Sequence, residues 1–271
     1  MRIDSSIGFV GAGNMAEALI RGLLRGHCDA ARLGGSAPRP ERCAELQARY
    51  GITMITDNGL CAERSEILVL SVKPQIMRKV LDEIADRIRP DALVVSIAAG
   101  VPIAAIEGRL RPGTRVVRAM PNTPASIGRA MTVCAANACV TAEQRILCGE
   151  LLSAVGEVEW VADEALMDAV TAVSGSGPAY VFLLAECLAE AGRAQGLDAA
   201  LADRLARATV SGAGELLHRS QLESRLLREN VTSPGGTTAA ALAVLMREGG
   251  LQSLLTEAVA AATGRSRELA K

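Results

Sequence analysis

Aromatic side chains are nearly absent: two Phe, two Tyr and one Trp amount to 2% of 271 residues. A surface that stacks unpaired bases needs several aromatic faces, and this chain has no such platform. Formal net charge is −1, with Arg and Asp/Glu dispersed along the chain, so no basic stripe awaits nucleic acid or an acidic membrane surface. Histidine occurs twice, at His27 and His218, neither within a motif, and lysine only at Lys73, Lys79 and Lys271. The seven cysteines are odd in number and scattered without a C-x-x-C pair. They read as reduced, mostly buried small residues, neither a disulfide framework nor a zinc site, so no metal is expected. The Met1–Ser6 segment has no apolar run of the signal-peptide kind, and no uninterrupted apolar stretch approaches the ~18 residues of a spanning helix. The chain is expected to be cytoplasmic, with 49% hydrophobic content able to fill one large or two modest cores.

What is present begins at once. Ile7-Gly8-Phe9-Val10 reads as a short strand, Gly11-Ala12-Gly13-Asn14-Met15-Ala16 as a glycine-rich turn, and the apolar spacing that follows as a helix capped near Gly26. Strand, G-x-G-x-x-A turn and helix make a dinucleotide-binding unit of the Rossmann type, with pyrophosphate expected at the helix N-terminus. The second strand is predicted at Leu33-Gly34-Gly35-Ser36, about 20 residues on, where NAD-binding proteins carry an acid for the ribose 2′-OH. Here Ser36-Ala37-Pro38-Arg39 offers a hydroxyl and a cation instead, which suits a 2′-phosphate and favours NADPH over NADH. Arg39 as a solvated surface residue is the alternative. Apolar strands follow at 66–72, 93–97 and 115–120, with a helix over 76–88. In an open parallel sheet ligands bind beyond the carboxyl ends of the strands, so Ser71, Val72, Lys73 and Pro74, and Ile97, Ala98 and Ala99, are cofactor-loop candidates.

The strand pattern stops after Val161. Pro178 starts a helix reaching about Ala194 and ending at Gly196, and further helices are predicted over about 199–219, 238–246 and 251–271. They are rich in Ala and Leu and apolar on more than one face, so each needs more than one partner surface. The fold class is therefore α/β, a Rossmann-type domain over 1–163, followed by an all-α domain over 164–271 that builds an intertwined homodimer. Within the second part, Ser233-Pro234-Gly235-Gly236-Thr237-Thr238 reads as a tight turn opening a helix. Its backbone can approach a ligand closely, and the helix N-terminus favours an anion. With no Arg or Lys in the turn, a small carboxylate fits better than a phosphate. An ordinary capped helix is the competing reading.

Gly11 to Ala16, Val72-Lys73-Pro74-Gln75, Arg118-Ala119-Met120-Pro121-Asn122-Thr123-Pro124, Asp168 to Tyr180 and Val231 to Thr238, in that order along the whole chain, resemble pyrroline-5-carboxylate reductase. The resemblance implies an NADPH-using enzyme of proline synthesis with a Rossmann domain and a helical dimerisation domain. It places cofactor contacts on Val10, Gly11, Ala12, Gly13, Asn14, Met15, Ser36, Pro38, Asn58, 71–74 and 97–99. It places substrate contacts on Glu164, Asn230, Val231, Thr237 and Thr238.

The chemistry agrees. Reduction of a cyclic imine asks for positioning above all: a hydroxyl near the imine nitrogen, for which Thr238 is the catalytic candidate, and helix-terminal N–H groups for the carboxylate, which Gly235, Gly236 and Thr237 supply. A hydroxyacid dehydrogenase with a helical tail would need a catalytic lysine early in its second domain, where this chain has none. A non-catalytic NADP(H) sensor has no use for a second polar pocket.

Overall fold

The computed structural model describes residues 4–269. They form two compact units, one of residues up to 175 together with the segment from 263, the other of residues 176–262.

The first unit is built on eight strands: β1 (Ile7–Val10), β2 (Leu33–Ser36), β3 (Thr53–Ile55), β4 (Ile67–Leu70), β5 (Leu93–Ser96), β6 (Arg115–Met120), β7 (Ala130–Ala136) and β8 (Gly156–Trp160). Their order is β3-β2-β1-β4-β5-β6-β7-β8. Every pairing from β3 to β6 is parallel, β7 runs antiparallel to β6, and β8 is parallel to β7. Strands covered on both faces need continuous apolar runs, and β1, β4 and β5 are buried at every position. Alternate residues feed two cores. Phe9, Val69, Val95 and Val117 meet one set of helices, α1 (Asn14–Arg25), α2 (Pro40–Tyr50) and α6 (Ala142–Ser153). Val10, Leu70, Val94 and Val116 meet α3 (Asn58–Glu63), α4 (Pro74–Ile84), α5 (Ile103–Glu107) and Met167 of α7 (Met167–Val170).

The second unit holds α8 (Gly177–Ala194), α9 (Ala199–Arg219), α10 (Ser224–Asn230), α11 (Thr237–Leu245) and most of α12 (Leu251–Leu269). Gly196 ends the α8 turn with a left-handed φ of 93°, and the Asp198 side chain caps α9 by accepting from the Leu201 amide. Small residues let these two helices approach: a Cβ on Gly192 would lie 3.5 Å from Ala202 Cβ. Few side chains are buried within this unit, while Phe182, Leu183, Leu216 and Leu254 are each at least 55% exposed. The helical stretch Glu164–Ala194 is by length and composition apolar enough to cross a bilayer, and only 11% of its most apolar window is buried.

The α/β-then-helical architecture matches expectation. The strands at 7–10, 33–36 and 115–120 and the helix at 199–219 fall where predicted. Some bounds differ, the strands expected over 66–72 and 93–97 spanning Ile67–Leu70 and Leu93–Ser96. The helix predicted over 76–88 spans Pro74–Ile84 and finishes in a 3-10 turn, because proline is pre-organised for a first helical position. The helix expected to start at Pro178 begins at Gly177. Gly26 caps α1 as expected, and the left-handed residue that follows it is His27, φ 66°. Cys28 N–H bonds Leu23 O and His27 N–H bonds Leu24 O, a Schellman pair that sets the positive-φ position one residue beyond the glycine.

Candidate active site

The register of the parallel strands brings the candidate loops to one edge. Ser36 pairs with Val10, Val10 with Leu70, Leu70 with Ser96 and Ser96 with Arg118, one row across the sheet. The segments that follow its first four members, Ser36, Val10, Leu70 and Ser96, are Ala37–Arg39, Gly11–Met15, Ser71–Pro74 and Ile97–Ala99. Four separate stretches of sequence thus share the carboxyl edge, where an open α/β sheet takes its ligand.

At the centre of that edge Gly11 has φ +98°, and a Cβ there would approach Ser71 O to 2.9 Å. The turn is braced from three sides. Gly11 N–H donates to Ser36 O at 3.0 Å, Ser71 Oγ lies 2.7 Å from Gly11 O and 3.0 Å from Val10 O, and Arg42 Nε donates to Ala12 O at 3.1 Å. Arg42 is itself fixed by Glu17 and Glu45. Glu17 also accepts from Arg49 and Tyr50. Burial raises the Glu17 carboxyl, but bonds from Arg42, Tyr50 and Arg49 outweigh it and hold the group below its ordinary value. Gly13 is the N-cap of α1 without a side-chain cap, and a Cβ on it would meet nothing within 4 Å. Unpaired N–H groups of a 12-residue helix therefore face an open cradle, which fits a pyrophosphate.

The residues flanking the second strand divide in two. Ser36 is fully buried and its hydroxyl donates to Asn58 Oδ1 at 2.8 Å, while Asn58 Nδ2 donates to Glu83. Pro38 and Arg39 are exposed, with Arg39 the N-cap of α2 and Pro40 its first residue. Among the described residues the Arg39 side chain forms no ion pair or hydrogen bond, so the cation that stands free at this corner is Arg39. Arg42 is already neutralised.

At the other end of the row Lys73, Pro74 and Ala99 are exposed, Val72 and Ile97 half-buried and Ala98 buried. Glu164 lies near the loop after β5. Its Oε1 accepts the Ile103 amide at 2.8 Å and Arg118 Nη1 at 2.9 Å. Sequence reading did not single out Arg42, Arg118 or Asn122 for a role. The available signal was a cation in the interior of a strand that is apolar apart from Arg115 at its start, Arg118 being 5% exposed.

In the helical unit Gly236 N–H donates to Ser233 O at 3.0 Å and Gly235 has φ +69°. That is a proline–glycine turn with the left-handed residue third, as in type II. Gly236 is the N-cap of α11, again without a side-chain bond, and Thr237 and Thr238 are its first two residues. Thr237 is exposed and Thr238 half-buried, and Asn230 and Val231 at the end of α10 are exposed. Turn, glycines and helix start lie as the sequence predicts.

The pattern described as pyrroline-5-carboxylate reductase dimerisation matches residues 164–269, and that described as NADP oxidoreductase, coenzyme F420-dependent, matches residues 6–100. Over 98% of this chain and 97% of the relative, the sequence is 44% identical to pyrroline-5-carboxylate reductase of Pseudomonas aeruginosa. The chain belongs to the pyrroline-5-carboxylate reductase family. A Synechocystis member is also 44% identical, over 98% of both chains. Among solved structures, a pyrroline-5-carboxylate reductase from Coxiella burnetii superposes with a TM-score of 0.95 at 37% identity, covering 99% of this chain and all of that one. A pyrroline carboxylate reductase from Plasmodium falciparum with NADP bound gives 0.84 at 29%, covering 99% of each. Family membership accounts for the open N-terminus of α1 in the first unit, a Rossmann-type nucleotide-binding domain.

Proposed function

We propose that this chain is a pyrroline-5-carboxylate reductase, reducing the C=N bond of 1-pyrroline-5-carboxylate to give L-proline, the last step of proline biosynthesis. Kinship over essentially the whole length of named reductases carries the reading. When bound, a reduced nicotinamide supplies the hydride. The protein's own groups hold, orient and shield. Val10 to Met15 and Ser71 to Pro74 form the dinucleotide cradle, Ile97 to Ala99 its far wall, and Pro38, Arg39 and Asn58 the 2′-phosphate corner. Because the free cation there is Arg39, NADPH is preferred to NADH.

On the substrate side, N–H groups of the 235–237 turn hold the carboxylate, and the Thr238 hydroxyl bonds the ring nitrogen, so that the imine carbon is fixed for attack. Glu164, Asn230 and Val231 are further substrate-contact candidates, supported by family kinship. We take 1–163 as the nucleotide domain and 164–271 as the dimerisation and substrate domain of a cytoplasmic homo-oligomer, with neither nucleic acid nor membrane as a partner. The exposed apolar faces of α8 and its neighbours then meet a second copy. The two-fold interface is expected to exceed the ~2,000 Å² at which obligate dimers begin. Sedimentation at nanomolar concentration with a parallel assay tests it, and a fully active monomer would refute it.

The deciding experiment measures oxidation of NADPH and NADH with five- and six-membered cyclic imino acids. Thr238→Ala should lower kcat by up to about 10²–10³-fold, by analogy with loss of one oxyanion-hole donor, and Thr238→Ser should retain most activity. Wild-type turnover in folded, dimeric Thr238→Ala would remove Thr238 from its role.

A further inference from the structure

The Arg118–Pro124 string takes no part in the function proposed above, yet it fastens segment 164–175 at three points. Arg118 Nη1 pairs with Glu164 Oε1 at 2.9 Å. Asn122 Nδ2 lies 3.2 Å from Ser174 O, while Asn122 Oδ1 is held by the Met131 amide. A Cβ on Gly175 would come within 2.5 Å of Met120 Cε. The fastened segment includes a π-helical turn at Thr171–Gly175, a rare form concentrated at functional sites.

Arg118 is the anomaly. It sits on the same face of the sheet as Val116, beside the core that holds Ile103 and Met167, and its side chain is 7% exposed. Taking a guanidinium out of water is expensive, and apolar residues of similar volume often hold a strand as well as a buried ion pair does. Stability alone does not explain the cation. Its partner Glu164 has a second task on the same oxygen, because Oε1 also accepts the Ile103 amide, the first N–H of α5 and the end of the loop that starts at Ile97. Glu164 Oε2 has no partner among the described residues, and the side chain is 29% exposed.

We propose that Arg118 is a positioning residue. Acting through Glu164, it pins the end of the 97–102 cofactor loop at Ile103 and holds the carboxylate so that Oε2 is left for a ligand. The effect on turnover rests on the reductase reading, whereas the effect on the loop does not.

The test uses full-length Arg118→Met, Arg118→Lys, Glu164→Gln and Arg118→Met/Glu164→Gln, with fold checked by circular dichroism and assembly by sedimentation. Steady-state rates are measured with NADPH and 1-pyrroline-5-carboxylate varied in turn, and amide exchange of residues 97–103 is followed by mass spectrometry. Arg118→Met should lower kcat about 10²-fold, the scale of a 1 Å misplacement, and should speed exchange across 97–103. Arg118→Lys should recover part of both. Because Arg118 acts through Glu164, the double variant should fall little below the worse single one. A folded Arg118→Met within twofold of wild type in kcat, or losses that multiply in the double variant, would overturn the proposal. Should Arg118→Met fail to fold, Arg118→Lys, Glu164→Gln and their combination carry the same comparison. If the wild type does not reduce the imine, the functional reading falls on its own. Exchange across 97–103 still decides the positioning role: faster in the variant supports it, unchanged refutes it.

Discussion

Replacing Arg39 by Ala removes one charge from the corner where a 2′-phosphate is proposed to sit, and little else. The side chain is exposed and, among the described residues, bonds to nothing, so no internal contact is lost with it. A hydrogen bond to a charged group contributes about 1.5–3 kcal/mol. Exposure and salt screening bring this one just below that range, to about 1.4 kcal/mol, or tenfold. The contact is the same in ground and transition states, so the loss should appear as a tenfold rise in KM for NADPH with kcat unchanged. NADH, which lacks the phosphate, should keep its constants within twofold. At 1 M salt, where the screening length falls to about 3 Å, wild type and variant should converge. Initial rates with both cofactors at saturating imino acid measure all of this. Arg42→Ala supplies the contrast: its guanidinium holds Ala12 O in a turn that serves both cofactors, so both KM values should rise together. An NADPH-to-NADH ratio unaltered in Arg39→Ala would refute the reasoning and move the 2′-phosphate contact elsewhere.

Two further outcomes concern stability. Thr132 is fully buried in β7 and its hydroxyl has no partner among the described residues. An unpaired buried polar group costs about 1–3 kcal/mol, so the near-isosteric Thr132→Val should raise the urea midpoint by roughly 1 kcal/mol of stability, and a lowered midpoint would mean that the hydroxyl is satisfied in solution. Glu17, with its carboxyl held low by Arg42, Tyr50 and Arg49 in spite of burial, contributes stability that is present above its unfolded value and lost as pH falls through the folded one. Glu17→Gln should therefore be less stable than wild type at pH 7, by about 1.5 kcal/mol on the scale of a charged hydrogen bond, and the difference should vanish in acid. A pH-independent difference would contradict the ion-pair account.

Much of the architecture was legible because it obeys local rules. The glycine turn lies between a continuous apolar strand and an amphipathic helix, and Thr237 follows a proline–glycine turn, so neighbours in sequence carried both signals. Strands β3 and β7 and helix α10 escaped for local reasons too. β3 is three residues long, β7 reads Ala-Met-Thr-Val-Cys-Ala-Ala, and α10 is a short polar stretch, and none offers a clear period or strong propensity. At the site, Arg39 was readable as a free cation, but Ser36 was not readable as a buried hydroxyl committed to Asn58, 22 positions away. Nor was the Arg118–Glu164 pair, whose members are 46 residues apart. Partners at that distance are chosen by the topology of the sheet, which no window of sequence contains.

The two ends of that sheet bear on how the molecule avoids joining others by its backbone. At one end β3 is only three residues long and offers little ladder to an incoming strand. At the other, β8 alternates outward-facing Glu157 and Glu159 with half-buried Val158 and Trp160. Charged side chains along an edge strand are one of the features that keep sheet edges from extending. Growth by strand addition is thus discouraged at both margins. Self-recognition falls to side chains on helices, where it can saturate in a closed assembly instead of running on as a fibre.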